Sequence, residues 1–131
     1  MPSEFVKEVA DVFAKDGPLS KVTANYTPRP SQIEFATSVA EALEKGKTLV
    51  AEAGTGTGKT FAYLVPALLK DQKVLISTAG KTLQDQLFTK DIPALLKALG
   101  MGCRVALLKG RSNYICKQRL EHALQEDSYV A

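Results

Sequence analysis

Residues 53–60 read Ala53-Gly54-Thr55-Gly56-Thr57-Gly58-Lys59-Thr60, and no other stretch narrows the fold so far. Alternating glycines let the backbone turn tightly and aim successive N–H groups at phosphate oxygens. The short apolar run Thr48-Leu49-Val50-Ala51 precedes the loop, and a helical pattern follows it to about Lys70. Strand, glycine-rich loop, helix is the setting a P-loop requires. The start of that helix adds the positive end of its dipole. In such a loop Lys59 reaches the β- and γ-phosphates of ATP and Thr60 sets its hydroxyl on Mg²⁺. The general pattern opens on glycine, where this chain has Ala53. The phosphate-facing glycines 54, 56 and 58 remain, so nucleotide binding is expected to survive. The bland alternative, a flexible turn followed by a chance lysine, does not account for the strand and helix on either side.

The pattern before the loop is helical. Residues 3–14 suit a short amphipathic helix capped by Ser3, with Val6, Ala10 and Phe13 on one face and Gly17-Pro18 as its stop. Residues 18–30 carry three prolines and read as an ordered loop. Ser31-Gln32-Ile33-Glu34 has the form of a capping box. The helix it opens sets Ile33, Ala36, Ala40 and Leu43 along one side and closes at Lys45-Gly46. After the loop the pattern alternates. Strands are expected at 73–77 and 103–108, helices at about 81–88 and 93–98, and a helical tail from Asn113 to about Gln125. Continuously apolar strands between helices predict an α/β fold, a parallel sheet of the P-loop NTPase (RecA-like) kind covered by helices.

Composition excludes little. The chain has 131 residues, enough for one modest core, and a formal charge of +3 that tolerates a nucleic-acid partner without requiring one. No apolar run approaches a membrane span, and the acidic N-terminal stretch with Glu4 and Glu8 does not suit a signal peptide. Two cysteines, Cys103 and Cys116, are too few for a disulfide scaffold, so a reducing, cytoplasmic setting is the expectation. Cys103 falls in an expected core strand and is expected to be packed there. His122, the single histidine, follows no metal-ligand spacing.

A P-loop specifies a nucleotide, not a reaction. Three further stretches make the sequence resemble the DinG/XPD-type branch of superfamily 2 DNA helicases. Upstream of the loop, Tyr26-Thr27-Pro28-Arg29-Pro30-Ser31-Gln32 matches the family's Arg-x-x-Gln element through Arg29 and Gln32. The resemblance implies that Gln32 recognises adenine, which a side-chain amide can do because it both donates and accepts. The alternative is an ordinary residue in a helix's first turn. Ile76-Ser77-Thr78-Ala79-Gly80-Lys81-Thr82-Leu83-Gln84-Asp85-Gln86-Leu87 resembles motif Ia, which touches the phosphate backbone of single-stranded DNA; Thr78, Lys81 and Thr82 are its candidate contacts here. The alternative is a plain strand-to-helix cap.

Leu107-Leu108-Lys109-Gly110-Arg111-Ser112-Asn113-Tyr114-Ile115-Cys116 resembles the run that leads into the family's iron–sulfur domain. That implies Cys116 as the first of four ligands to a [4Fe-4S] cluster, where a lone cysteine otherwise reads as a small buried hydrophobe. Arg111 and Lys109 form a basic spot suited to DNA phosphates, and Tyr114 either stacks on a base or anchors the fold.

The resemblance divides the chain into an N-terminal helix and loop (1–30), part of the first motor domain (31–112) and the start of an iron–sulfur domain (113–131). Neither the remaining cluster cysteines nor a Walker B strand ending in Asp-Glu is present; Glu126-Asp127 follows a polar helix. The expectation is therefore the ATP-binding N-terminal portion of a bacterial 5′-to-3′ DNA helicase. It would act on single-stranded or forked DNA beside replication or repair proteins, near the nucleoid. Such a portion alone would hydrolyse little ATP. The alternatives are a P-loop ATPase of another class and a non-enzymatic nucleic-acid module; a γ-phosphate lysine has no purpose in the latter.

Overall fold

The computed structural model describes residues 1–54 and 58–126. Its body is built from helices. The first, α1, spans Glu4–Val12, with the Ser3 hydroxyl accepting the Val6 N–H at 3.2 Å as its N-cap. The same hydroxyl donates to Glu44, which ties α1 to the helix behind it. Val6, Val9 and Val12 recur every three residues and face inward, and Phe13 just beyond them is fully buried. Burying one such side chain contributes about 1.5–3 kcal/mol. The chain then reverses at Gly17, where a Cβ would lie 2.8 Å from the Val12 carbonyl, so only glycine fits the close approach. A single 3₁₀ turn, Pro18–Lys21, sends Leu19 into the core. The Tyr26 hydroxyl donates to the Phe13 carbonyl at 2.8 Å and closes the loop back on α1.

Helix α2 spans Pro30–Lys45, and Gly46 ends it with a left-handed φ of +59°. The expected capping box at Ser31 does not form. Arg29 is the N-cap, with no side-chain cap hydrogen bond, and Pro30 occupies the first turn. Proline's fixed φ and missing N–H suit that place, so the helix starts one residue before the serine. Gln32, Ala36 and Ala40 are its buried residues. Leu43, expected on the inner side, is exposed. Helix α3 spans Lys59–Leu69 and meets α2 through Ala36, Ala40, Ala62 and Val65, all completely buried. Small side chains at that seam let the two backbones approach closely.

Two separate helices were expected between 81 and 98. One continuous run forms instead: α4 (Lys81–Gln86), a π turn (Leu87–Asp91) and α5 (Ile92–Leu99). The wide turn places Leu87 and Ile92 in the same core as Leu95. Gly100, at φ +64°, ends the run. A 3₁₀ turn at Arg111–Asn113 and helix α6 (Lys117–Gln125) complete the described chain. The helical tail thus begins at Lys117 rather than Asn113.

The expected parallel sheet is not confirmed. Among the described residues there is no strand, and no backbone hydrogen bond joins the segments around 48–51, 73–77 and 103–108. A helix closes its hydrogen bonds within one segment, whereas a strand depends on a neighbouring strand and, in a parallel sheet, on cover over both faces. Here Val50, Leu75 and Leu108 are 93%, 94% and 82% exposed. Ala67, Leu68, Lys73, Val74 and residues 101–106 line one cleft of about 890 Å³. Cys103 lines that cleft and is exposed, not packed in a core strand.

Candidate functional site

The turn into α3 is where the sequence and the packing meet most closely. Gly58 is the N-cap of α3 and holds φ +76°, a conformation that suits glycine. Lys59 and Thr60 are therefore the first two helical residues, Lys59 exposed and Thr60 half-buried. Behind the turn lies Gln32, only 6% exposed, and its amide nitrogen donates to the Gly58 carbonyl at 3.1 Å. A Cβ at Gly58 would collide with that nitrogen and sit 2.8 Å from the Gln32 Cδ. The dihedral thus calls for glycine at position 58, and a larger residue there would also make the end of the Gln32 side chain shift. Gln32 and the loop are 26 residues apart in sequence yet form one unit.

Ala53 is half-buried, and nothing lies within 4 Å of where a side chain on Gly54 would start. Thr55, Gly56 and Thr57 lie outside the described residues. Arg29 supports the site through its backbone: its carbonyl accepts the Gln32 and Ile33 N–H groups, both at 3.1 Å.

Two side chains, Tyr63 beside Thr60 and Asp91 acting on Tyr63, escaped the sequence reading. Burial pushes the Tyr63 phenol above its ordinary value; a hydrogen bond from the Thr60 side chain works against this, and the charge of Asp91 adds to it. The Asp91 carboxylate in turn accepts from Gln86 at 3.0 Å. Tyr63 is one helical turn beyond Thr60, a spacing readable from the sequence once the helix start is known. Asp91 is brought there by the π turn, which leaves no plain signature in the residues.

The candidate DNA contacts sit on two neighbouring segments. The Thr78 hydroxyl donates to the Gly80 carbonyl at 3.1 Å, and Lys81 and Thr82 are the exposed first residues of α4. Arg111 opens the exposed 3₁₀ turn. Lys109 is not a free cation: its ammonium pairs with Asp85 at 2.8 Å. Tyr114 is exposed, and its hydroxyl accepts the Lys109 N–H at 2.9 Å. That contact anchors the local turn.

Cys116 is the exposed N-cap of α6. Among the described residues no group of three or more His, Cys, Asp or Glu side chains could hold a metal ion. A [4Fe-4S] cluster takes four ligands, and the described residues do not gather a complete cluster site around Cys116. His122 is an exposed residue of α6. Among the described residues no helix is long and apolar enough to cross a membrane.

Comparison with known proteins matches residues 33–129 to the family of DEAD/DEAH box helicases. The ATP-dependent DNA helicase YoaA of Escherichia coli (strain K12) is 56% identical over 113 residues, covering 86% of this chain and 18% of that protein. YoaA of Haemophilus influenzae is 47% identical over 123 residues, covering 94% of this chain and 19% of its own length. The ATP-dependent helicase DinG of Mycobacterium tuberculosis is 45% identical over 106 residues, covering 75% and 16%. The chain thus spans less than a fifth of the length of these relatives. The family carries with it a P-loop NTPase fold.

Proposed function

The chain belongs to the DEAD/DEAH box helicase family, and from that premise we propose that it is the ATP-binding front of an ATP-dependent DNA helicase of the DinG/XPD iron–sulfur type. The observation that carries the reading is the grip of Gln32 on the Gly58 carbonyl at the start of α3. It joins the two elements a nucleotide would touch at its opposite ends, the Arg29–Gln32 element and the phosphate loop. Residues 31–112 are then part of the first motor domain, and 113–131 lead toward an iron–sulfur domain.

The roles follow from position. Lys59, exposed at the helix start, neutralises the β- and γ-phosphates of ATP while the first N–H groups of α3 face them. Thr60 offers its hydroxyl to Mg²⁺, an ion that keeps most of its remaining coordination for water and phosphate oxygen and so needs few protein ligands. Ala53, Gly54, Thr55, Gly56, Thr57 and Gly58 line the phosphates. Arg29 and Gln32 serve the adenine end; Gln32 keeps its amide oxygen for the base while its nitrogen holds the loop. Thr78, Lys81, Thr82 and Arg111 meet the phosphates of single-stranded or forked DNA. Cys116 is one cluster ligand. Translocation from 5′ to 3′, work beside repair or replication proteins, and a bacterial cytoplasmic, nucleoid-associated setting complete the proposal.

The test is ATP hydrolysis by the full-length protein bearing this sequence, with and without single-stranded DNA, beside Lys59→Ala. Losing the phosphate-stabilising cation is expected to slow hydrolysis by about 10²–10³-fold. A variant turning over near the wild-type rate removes Lys59 from the site. Hydrolysis indifferent to DNA moves the protein to another class of P-loop ATPase.

A further inference from the structure

The candidate DNA contacts come from two segments that no sheet ladder joins among the described residues, so their relative placement needs another cause. Two side-chain contacts run in parallel between them. The Gln84 amide donates to the Leu108 carbonyl at 2.8 Å, and Asp85 pairs with the Lys109 ammonium at 2.8 Å. Both contacts span the same 24 positions, from adjacent residues of α4 to adjacent residues of the 108–109 segment. Beyond them the chain folds back on itself. The Lys109 N–H donates to the Tyr114 hydroxyl, and the Asn113 N–H donates to the Gly110 carbonyl, both at 2.9 Å. The closed turn from 109 to 114 holds Arg111 at its exposed rim.

We infer that Gln84 and Asp85 are positioning residues for nucleic acid: they latch the Arg111 turn to α4, so that Lys81 and Thr82 on one segment and Arg111 on the other meet a single phosphate backbone together. The inference rests on the nucleic-acid role proposed above for those residues. Neither Gln84 nor Asp85 touches the DNA. Asp85 acts through Lys109, whose charge it occupies, and Gln84 acts through a backbone carbonyl. Two bonds from rigid helical residues fix both translation and rotation of the turn, which one bond alone would leave free.

The sign of one substitution separates this role from plain electrostatics. An exposed carboxylate near DNA repels phosphate, so removing it would ordinarily tighten binding. The latch reverses that. In the full-length protein, Asp85→Asn is expected to weaken binding of a fluorescent single-stranded oligothymidylate by about threefold, the scale of a partly exposed ion pair. Asp85→Glu, which keeps the charge, is expected to bind like wild type. Asp85→Asn added to Lys109→Met should weaken binding no further than Lys109→Met alone, since both break one contact. Tighter or unchanged binding by Asp85→Asn overturns the latch while the wild type still binds, as does an additive double variant. A wild-type protein that does not bind the oligonucleotide overturns the nucleic-acid reading and the latch with it.

Discussion

The helical body and the three segments around 48–51, 73–77 and 103–108 have similar apolar content and opposite fates. In the body, Val9, Phe13, Leu19, Ala36, Ala40, Val65 and Leu95 are wholly buried. In the segments, Val50, Val74, Leu75, Val105 and Leu108 face outward. The difference lies in how each kind of backbone is satisfied, not in hydrophobicity. A helix completes its hydrogen bonds alone and has only one stripe to bury, so a few neighbouring helices suffice. A parallel strand needs at least one neighbouring strand and cover on both faces to bury its apolar side chains. Apolar residues in a strand pattern therefore state a requirement for neighbours, and among the described residues these segments form no strand, with Ile76 alone of them packed against the core.

Four substitutions would break or sharpen that contrast. Phe13→Ala in the 131-residue chain is expected to have the largest effect, about 3–5 kcal/mol lost in denaturant unfolding, because a fully enclosed ring leaves a cavity. A loss no greater than that of a surface change would mean the helical core is not what holds the chain together. Gly58→Ala comes next. The strained dihedral alone costs of order 1–3 kcal/mol, and the collision with Gln32 adds to it. The loss is read in denaturant unfolding, and Gly58→Ala should cost less in a Gln32→Ala background than in the wild-type chain, by the part due to collision. An equal cost in both backgrounds would mean that Gln32 does not crowd the loop.

Leu75→Ser should change stability by no more than ~0.5 kcal/mol, since the side chain is already in water. Self-association in sedimentation should decline, because exposed apolar surface is what drives it. A large loss of stability would show that the segment is packed after all and would dissolve the contrast. The smallest effect concerns the loop closure. Burial raises the Tyr26 phenol above its ordinary value of 10.0. The folded state thus holds this proton more tightly than the unfolded one. Its contribution to stability is full below about pH 10 and is lost as pH rises through the folded value. Tyr26→Phe should remove that alkaline step in a pH series of unfolding midpoints; an unaltered step would assign it to another group, with Tyr63 first in line.

Much of the helical body was legible because its signals are local. Ser3, Gly17-Pro18 and Gly46 each act within a few residues; of the face read as Val6, Ala10 and Phe13, Val6 and Phe13 are buried, Ala10 is half-buried, and Val9 and Val12 join them in the core. The Ser31 box misled because proline competes for the same turn and starts the helix earlier. The loop at 53–60 was legible as a motif, and Gln32 was singled out through family resemblance. Its burial against Gly58 is a contact across 26 residues that no local pattern encodes. Asp85–Lys109 is of the same kind: each residue alone reads as a solvated charge. Cys103, expected in a core strand, is exposed, because no strand forms around it among the described residues.

The wide turn at Leu87–Asp91 has an evolutionary consequence. A π turn is what an α-helix becomes when it absorbs one extra residue without changing the direction of either flank. Deleting a residue there would restore an unbroken α-helix and leave Lys81–Gln86 and Ile92–Leu99 aimed as they are. The same deletion within Ile92–Leu99 would swing every following side chain by about 100° and turn Leu95 out of its place. Sequence length along this rod is negotiable at one point, and insertions or deletions among homologous chains should gather there.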